Sequence, residues 1–277
     1  MTARPGLPIM QRQIVLFLVA TQFLTRLPTP AWESFQPSWL SQSARYFPLV
    51  GVLVGGINVG IWWLLGRWLP PAVTMGLVLA VSLLVTGAFH EDGLADTCDG
   101  FGGGTTRDRV LAIMKDSRIG AYGAIAICVM LGLKWATYLA IPAAAFPLMV
   151  IGAHMFSRWC ACGLIWRLRY VRGDEDAKAK PLADSLGGRD FSLSGALGAL
   201  AVAPFAFAGS LMPNALVLRA LVAAVGASAI TAVVVALYFR KRIGGYTGDC
   251  LGAVQQLTEL AFLLAALAVV GSARPTG

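Results

Sequence analysis

Long apolar runs separated by short polar stretches organise the chain. The first, residues 14–25, spans 12 positions. At about 1.5 Å per residue that is too short to cross a hydrocarbon core of roughly 30 Å. It predicts a half-buried or interfacial helix, stopped by Pro28 and Pro30. Seven longer runs follow, at about 46–69, 72–91, 119–140, 144–166, 192–211, 215–239 and 250–271. Pro70-Pro71, Pro142 and Pro213 punctuate them. The pattern predicts an all-α, polytopic integral membrane bundle of about seven spans plus a short N-terminal interfacial helix. No stretch between runs is long enough to bury a core of its own, so residues 1–277 read as a single transmembrane domain without internal repeats.

Composition agrees. The chain is 57% hydrophobic and 13% charged, with a mean hydropathy of +0.70, whereas soluble domains carry about 25% charged residues. Arg4 and Arg12 ahead of the first run imitate a signal peptide, but no small-x-small cleavage site follows, and the segment is read as part of the mature chain. Gly51, Gly55, Gly56 and Gly60 form two small-xxx-small pairs that predict close helix packing. Trp62, Trp63 and Trp68 mark a membrane interface. The five cysteines lack paired extracellular spacing and read as reduced; Cys160-Ala-Cys162 lacks the partners of a zinc site.

The net charge of +8 comes without a nucleic-acid recognition motif, so it reads as topology rather than nucleic-acid binding. Loops 26–45, 92–118, 167–191 and 240–249 fall on one face and hold 15 of the 22 Lys and Arg residues. Arg67, Lys134, Arg219 and Arg274 are expected on the other face. The positive-inside rule places the rich face in the cytoplasm, and every acidic motif lies on it.

Those motifs carry the candidate chemistry. Five of the 14 acidic residues, Glu91, Asp92, Asp96, Asp99 and Asp108, fall within 18 positions, and Asp116 follows. Asp92, Asp96 and Asp99 stand at i, i+4 and i+7. If the second span's helix continues, they share one stripe. Carboxylates so placed repel unless a cation bridges them, and oxygen-only donors favour Mg²⁺ or Mn²⁺. Gly93, Gly100 and Gly102-Gly103-Gly104 weaken a helix and suggest backbone clearance. Lys115, Asp116, Ser117 and Arg118 precede the third span, where cations and free backbone N–H groups suit phosphate oxygens. Arg158 lies within the fourth span, about 12 Å from its cytoplasmic end, with His154 one turn deeper. A buried arginine needs a partner, a phosphate or one of the aspartates. Loop 167–191, with Arg172, Lys178 and Lys180, reads by itself as a solvated charge run, and Pro181 favours a rigid, extended approach. Asp249 is at the cytoplasmic rim; Glu259, about 14 Å deeper, must be paired or functional. His90 reads as a hydrogen-bonded structural residue. These groups allow metal-assisted phosphoryl transfer, with a carboxylate taking the proton of an attacking hydroxyl.

Four motifs resemble the cobalamin-5'-phosphate synthase (adenosylcobinamide-GDP ribazoletransferase) family. They are Glu91-x-Gly-Leu-Ala-Asp96-x-x-Asp99-Gly, Met114-Lys-Asp-Ser-Arg-x-Gly-Ala-Tyr-Gly123, Lys178-Ala-Lys-Pro181 and Gly245-x-Thr-Gly-Asp249-x-x-Gly252-Ala. The opening Phe23-Leu-Thr-Arg26-Leu-Pro28 is also similar. The resemblance implies a multi-pass inner-membrane enzyme of the last stage of cobalamin biosynthesis. It would need Mg²⁺, with Mn²⁺ as a substitute. It would join α-ribazole, or its 5'-phosphate, to adenosylcobinamide-GDP on the cytoplasmic face and release GMP. It implies Glu91, Asp92, Asp96 and Asp99 as the metal cluster with Asp116 close by, and Asp92, Asp96 and Asp99 as catalytic carboxylates. Lys115, Ser117, Arg118, Arg158, Lys178, Lys180 and Asp249 would hold substrate. Oligomeric state stays open. The CDP-alcohol phosphotransferases are similar in reaction type, but Asp96 stands where their motif has Ala. Two competing functions are a phosphotransferase with another acceptor and a cation transporter using Asp96, Asp99 and Glu259 near the bilayer midplane.

Overall fold

Apolar segments this long satisfy their backbone hydrogen bonds internally, and helices do so one segment at a time. A computed structural model describes residues 8–30, 36–172, 186–208 and 213–272. Among them the order is α1 (Ile9–Leu24), α2 (Pro37–Ser43), a 3₁₀ turn (Ala44–Tyr46), α3 (Phe47–Leu65), α4 (Pro71–Thr86), α5 (Phe89–Gly103), α6 (Arg107–Lys115), α7 (Ala121–Ala140), α8 (Phe146–Arg167), α9 (Gly188–Ala208), α10 (Asn214–Ile243) and α11 (Gly248–Ser272). The fold is all-α. Among the described residues, five helical segments are long and apolar enough to cross a membrane, six if the bent pair α4–α5 counts as one. This is a multi-pass membrane protein. The expected seven is approximate: α9, the fifth predicted run, is not among those six.

The centre of the bundle is α8, 89% buried along its most apolar window. It packs on α3, α9, α10 and α11. The predicted glycine packing holds for one pair. A Cβ on Gly51 would collide with the His154 carbonyl, and one on Gly55 would lie 2.8 Å from Ile151 Cα, so α3 and α8 approach backbone to backbone. Gly56 and Gly60 face open space.

The second span does not continue straight into the acidic stretch. Gly87 (φ 64°) and Ala88 (φ 53°) break it, and α5 leaves α4 at 88°. A left-handed alanine costs about 1–2 kcal/mol. The turn is held by Ala88 N–H donating to Leu83 O (2.9 Å) and Arg26 N–H to Val85 O (2.7 Å). The Arg26 side chain fills the space a Cβ on Gly87 would need. The opening Phe-Leu-Thr-Arg motif therefore supports the break. A further departure is α6, a helix inside the stretch read as a loop, capped by Thr106 Oγ1 accepting from Arg109 N–H. Arg240, Lys241 and Arg242 remain helical, and Gly244 (φ 82°) ends α10.

Candidate active site

Asp92, Asp96 and Asp99 do lie along one helix, α5, and two glycines decide what faces them. A Cβ on Gly93 would meet Asp249 O at 2.9 Å and Gly252 Cα at 3.2 Å; one on Gly252 would meet His90 O at 2.9 Å. At this glycine-on-glycine crossing the first turn of α11 lies directly against α5, which brings Asp249 to the stripe. Among the described residues, the carboxylates that act on Asp96 are Asp249, Asp92 and Asp99, with Arg172 as countercharge.

Arg172 was missed by the sequence reading. Its Nη2 donates to Asp249 Oδ2 (2.6 Å) and to Met114 O at the end of α6 (3.1 Å). Backbone pairing sets it there: Tyr246 N–H donates to Arg169 O (2.9 Å) and Val171 N–H to Tyr246 O (3.0 Å). No spacing in the sequence signals that residues 169–172 lie beside Tyr246.

Asp99 is buried, 8% exposed. Its Oδ2 accepts from Gly120 N–H (2.7 Å) and its Oδ1 from Gly123 N–H (2.8 Å). A Cβ at either glycine would collide with the carboxylate. Asp99 thus caps the N-terminus of α7 from another helix. These two N–H groups, expected to be free for phosphate, are taken. Each oxygen still keeps a lone pair for a further partner.

Other expected residues lie elsewhere. Asp116 accepts from Arg118 Nε (3.0 Å) and Nη2 (2.6 Å) at the exposed α6–α7 junction. Those hydrogen bonds hold its carboxyl down to about 2. Lys115 ends α6, and Ser117 and Arg118 are exposed. Lys178 and Lys180 lie outside the described residues.

Glu91 turns away from the stripe into a network inside the bundle. Its Oε1 accepts from Gln256 Nε2 (2.8 Å), whose Oε1 accepts from Lys134 Nζ (2.7 Å). Lys134 pairs with Glu259 Oε1 (2.7 Å), and His154 Nδ1 lies 3.1 Å from Glu259 Oε2. Gln255 also donates to Glu259. His154 meets Asn58 (2.9 Å) and accepts Arg158 Nη1 at its carbonyl (3.0 Å). Lys134 is therefore not on the opposite surface: it is 3% exposed within α7, because Glu259 is there to pair it. Arg158 is 2% exposed and lines a small cavity with Phe23, Phe47, Phe89 and His90. Glu259 is paired, as burial requires.

Among the described residues no three His, Cys, Asp or Glu side chains stand close enough to hold a metal ion as they are. The donor set nonetheless fits Mg²⁺. This ion commonly takes one or two carboxylates and completes its octahedron with water and phosphate oxygens. Asp92, Asp96 and Asp249 offer hard oxygens, and the Arg172 guanidinium pairs with Asp249. With all three ionised, their charge against that of Arg172 would leave, among the described residues, a deficit equal to one divalent cation.

Residues 16–267 match the cobalamin-5-phosphate synthase family. An adenosylcobinamide-GDP ribazoletransferase of Leptothrix cholodnii is 45% identical over 92% of this chain and 96% of its own length. Proteins of the same description from Shewanella sp. W3-18-1 and Shewanella oneidensis are each 42% identical over 94% of this chain and 96% of theirs. No solved structure matches.

Proposed function

The chain belongs to the cobalamin-5-phosphate synthase family, and on that premise we propose that the face between α5 and α11 is where its reaction takes place. The reaction transfers the cobinamide-phosphate group of adenosylcobinamide-GDP to α-ribazole, or to its 5'-phosphate, and releases GMP. A ribazole hydroxyl oxygen forms a bond to the phosphorus attached to cobinamide. The bond from that phosphorus to the bridging oxygen breaks, and the electron pair leaves with GMP.

Asp92 and Asp96, with Asp249 facing them, would hold Mg²⁺ or Mn²⁺. When bound, the ion neutralises charge on the diphosphate and on the departing phosphate. A carboxylate of this group accepts the proton of the attacking hydroxyl. Asp99 keeps the start of α7 beside the stripe. Lys115, Ser117 and Arg118 meet phosphate oxygens, a role the family resemblance also gives Lys178 and Lys180. Glu91, bonded to Gln256, and Asp116, bonded to Arg118, would not be ligands of the ion, and Arg158 belongs to the inner network. The site opens on the cytoplasmic face of the inner membrane, where basic loops gather.

The observation that supports this reading is the Gly93–Gly252 crossing, where the first turn of α11 with Asp249 lies against the helix of Asp92 and Asp96 and Arg172 bonds Asp249. The test is GMP release by purified protein in nanodiscs, given adenosylcobinamide-GDP and α-ribazole or its 5'-phosphate. Stoichiometric GMP that depends on the acceptor is expected. Product formation with an unrelated alcohol and none with ribazole would remove the reading.

A further inference from the structure

Arg172 ties α11 to α6 beside the carboxylate stripe of α5. It bonds Asp249 on α11, reaches the carbonyl of Met114 at the end of α6, and is the countercharge beside Asp96 on α5. Backbone pairing between residues 169–171 and Tyr246 fixes the approach of its main chain. A guanidinium offers five N–H donors. Here both protein bonds are made by one nitrogen, Nη2, and among the described residues no hydrogen bond uses Nε or Nη1. The side chain is 22% exposed, whereas its partner Asp249 is 17% exposed. Among the described residues, then, Nη2 is the nitrogen by which the fork is anchored.

We propose that Arg172 is a substrate-binding residue: anchored by Asp249 and the Met114 carbonyl, it donates to the phosphate that leaves as GMP. The inference rests on the ribazole-transfer reading and deepens it by naming a group that recognises the donor. Charge supports the placement. Asp92, Asp96 and Asp249 repel an incoming diphosphate, and a divalent ion at best neutralises the deficit left by the three carboxylates and Arg172. The described residues place this one cation against the carboxylates themselves, while Lys115 and Arg118 follow Met114 on the α6 side. A phosphate that approaches these carboxylates approaches Arg172, which bonds Asp249 among them. As the bond to the bridging oxygen breaks, negative charge collects on the GMP phosphate. A guanidinium already held in place stabilises it without reorganising.

A plain structural tie between α11 and α6 predicts something different, and Arg172→Lys separates the two. Lysine keeps a positive charge next to Asp249 but loses the planar fork. For R172K in nanodiscs, we expect a melting temperature within about 2 °C of wild type. The KM for adenosylcobinamide-GDP and the inhibition constant of GMP should both rise about tenfold or more, the size expected for a lost charge-assisted hydrogen bond. The KM for α-ribazole should stay within about twofold. R172Q, neutral but still able to donate to Asp249, should lose donor and GMP affinity further. Unchanged donor KM and GMP inhibition in both variants would overturn the assignment, as would an equal loss for donor and acceptor. A wild-type protein that binds neither adenosylcobinamide-GDP nor GMP would overturn the ribazole-transfer reading and this inference with it.

Discussion

Asp99 and Asp96 are one helical turn apart on α5, yet replacing each by asparagine should have opposite consequences. The Asp99 carboxylate accepts two backbone N–H groups at the start of α7, at 2.7 and 2.8 Å, while 8% exposed. Asparagine keeps one acceptor and turns an NH₂ group toward the other N–H. One charge-assisted hydrogen bond is lost, about 1.5–3 kcal/mol, and a buried donor is left facing a donor. The negative charge at a helix N-terminus is lost as well, about 0.3–1 kcal/mol. The sum is about 2–4 kcal/mol. At about 2–4 °C per kcal/mol for a chain of this size, D99N should melt roughly 5–15 °C lower. Asp96 makes no hydrogen bond to another described residue and has three carboxylates as neighbours. D96N relieves repulsion, so its melting temperature should be unchanged or slightly higher while GMP release is abolished. Tryptophan fluorescence during thermal unfolding in nanodiscs, read beside GMP release, tests both. A D99N protein as stable as wild type, or a D96N protein with wild-type turnover, would refute this division of roles.

Gly93→Ala should push α11 from α5, because its Cβ would meet Asp249 O at 2.9 Å; we expect GMP release to fall more than tenfold, and wild-type rates would contradict the crossing's role. Lys134→Met leaves Glu259 buried without its ammonium partner and should cost about 3–5 kcal/mol, with much of the loss recovered in K134M/E259M; failure of the double variant to recover would argue against that pair as the source. Arg118 holds the Asp116 carboxyl down to about 2, below its unfolded value. Its contribution is therefore present above about pH 4 and lost as pH falls through 2. A carbon-detected titration of Asp116 should show a midpoint near 2 that climbs toward 4 in R118A, and an unmoved midpoint would remove Arg118 as the cause.

Runs of apolar residues specify membrane helices almost alone, so the sequence predicted the boundaries of α3, α7, α8 and α11 to within a few residues. The stripe on α5 was equally legible, because i, i+4, i+7 spacing places residues on one face whatever precedes the helix. The break at Gly87–Ala88 was not, because an alanine carries no sign that the backbone will hold it left-handed. Gly93 reads as clearance in the sequence, but what it, Gly120, Gly123 and Gly252 each clear depends on which group crosses there. For the same reason Lys134 was placed on the surface: in sequence a lysine near a span end looks like an anchor, and only the fold sets Glu259 and Gln256 beside it. Arg172 was hidden among the charges of its loop, since its meaning comes from Asp249, 77 residues away.

The central claim is that carboxylates of α5 and α11 hold a divalent cation against the donor's diphosphate. It is tested most directly by the initial rate of GMP release as free Mg²⁺ is varied from EDTA-stripped conditions to saturation, in wild type and in Asp249→Asn. The account predicts release that vanishes in EDTA, returns with Mg²⁺ or Mn²⁺, and needs at least tenfold more Mg²⁺ in D249N. Release at full rate in EDTA, or an Mg²⁺ dependence indifferent to Asp249, would contradict it.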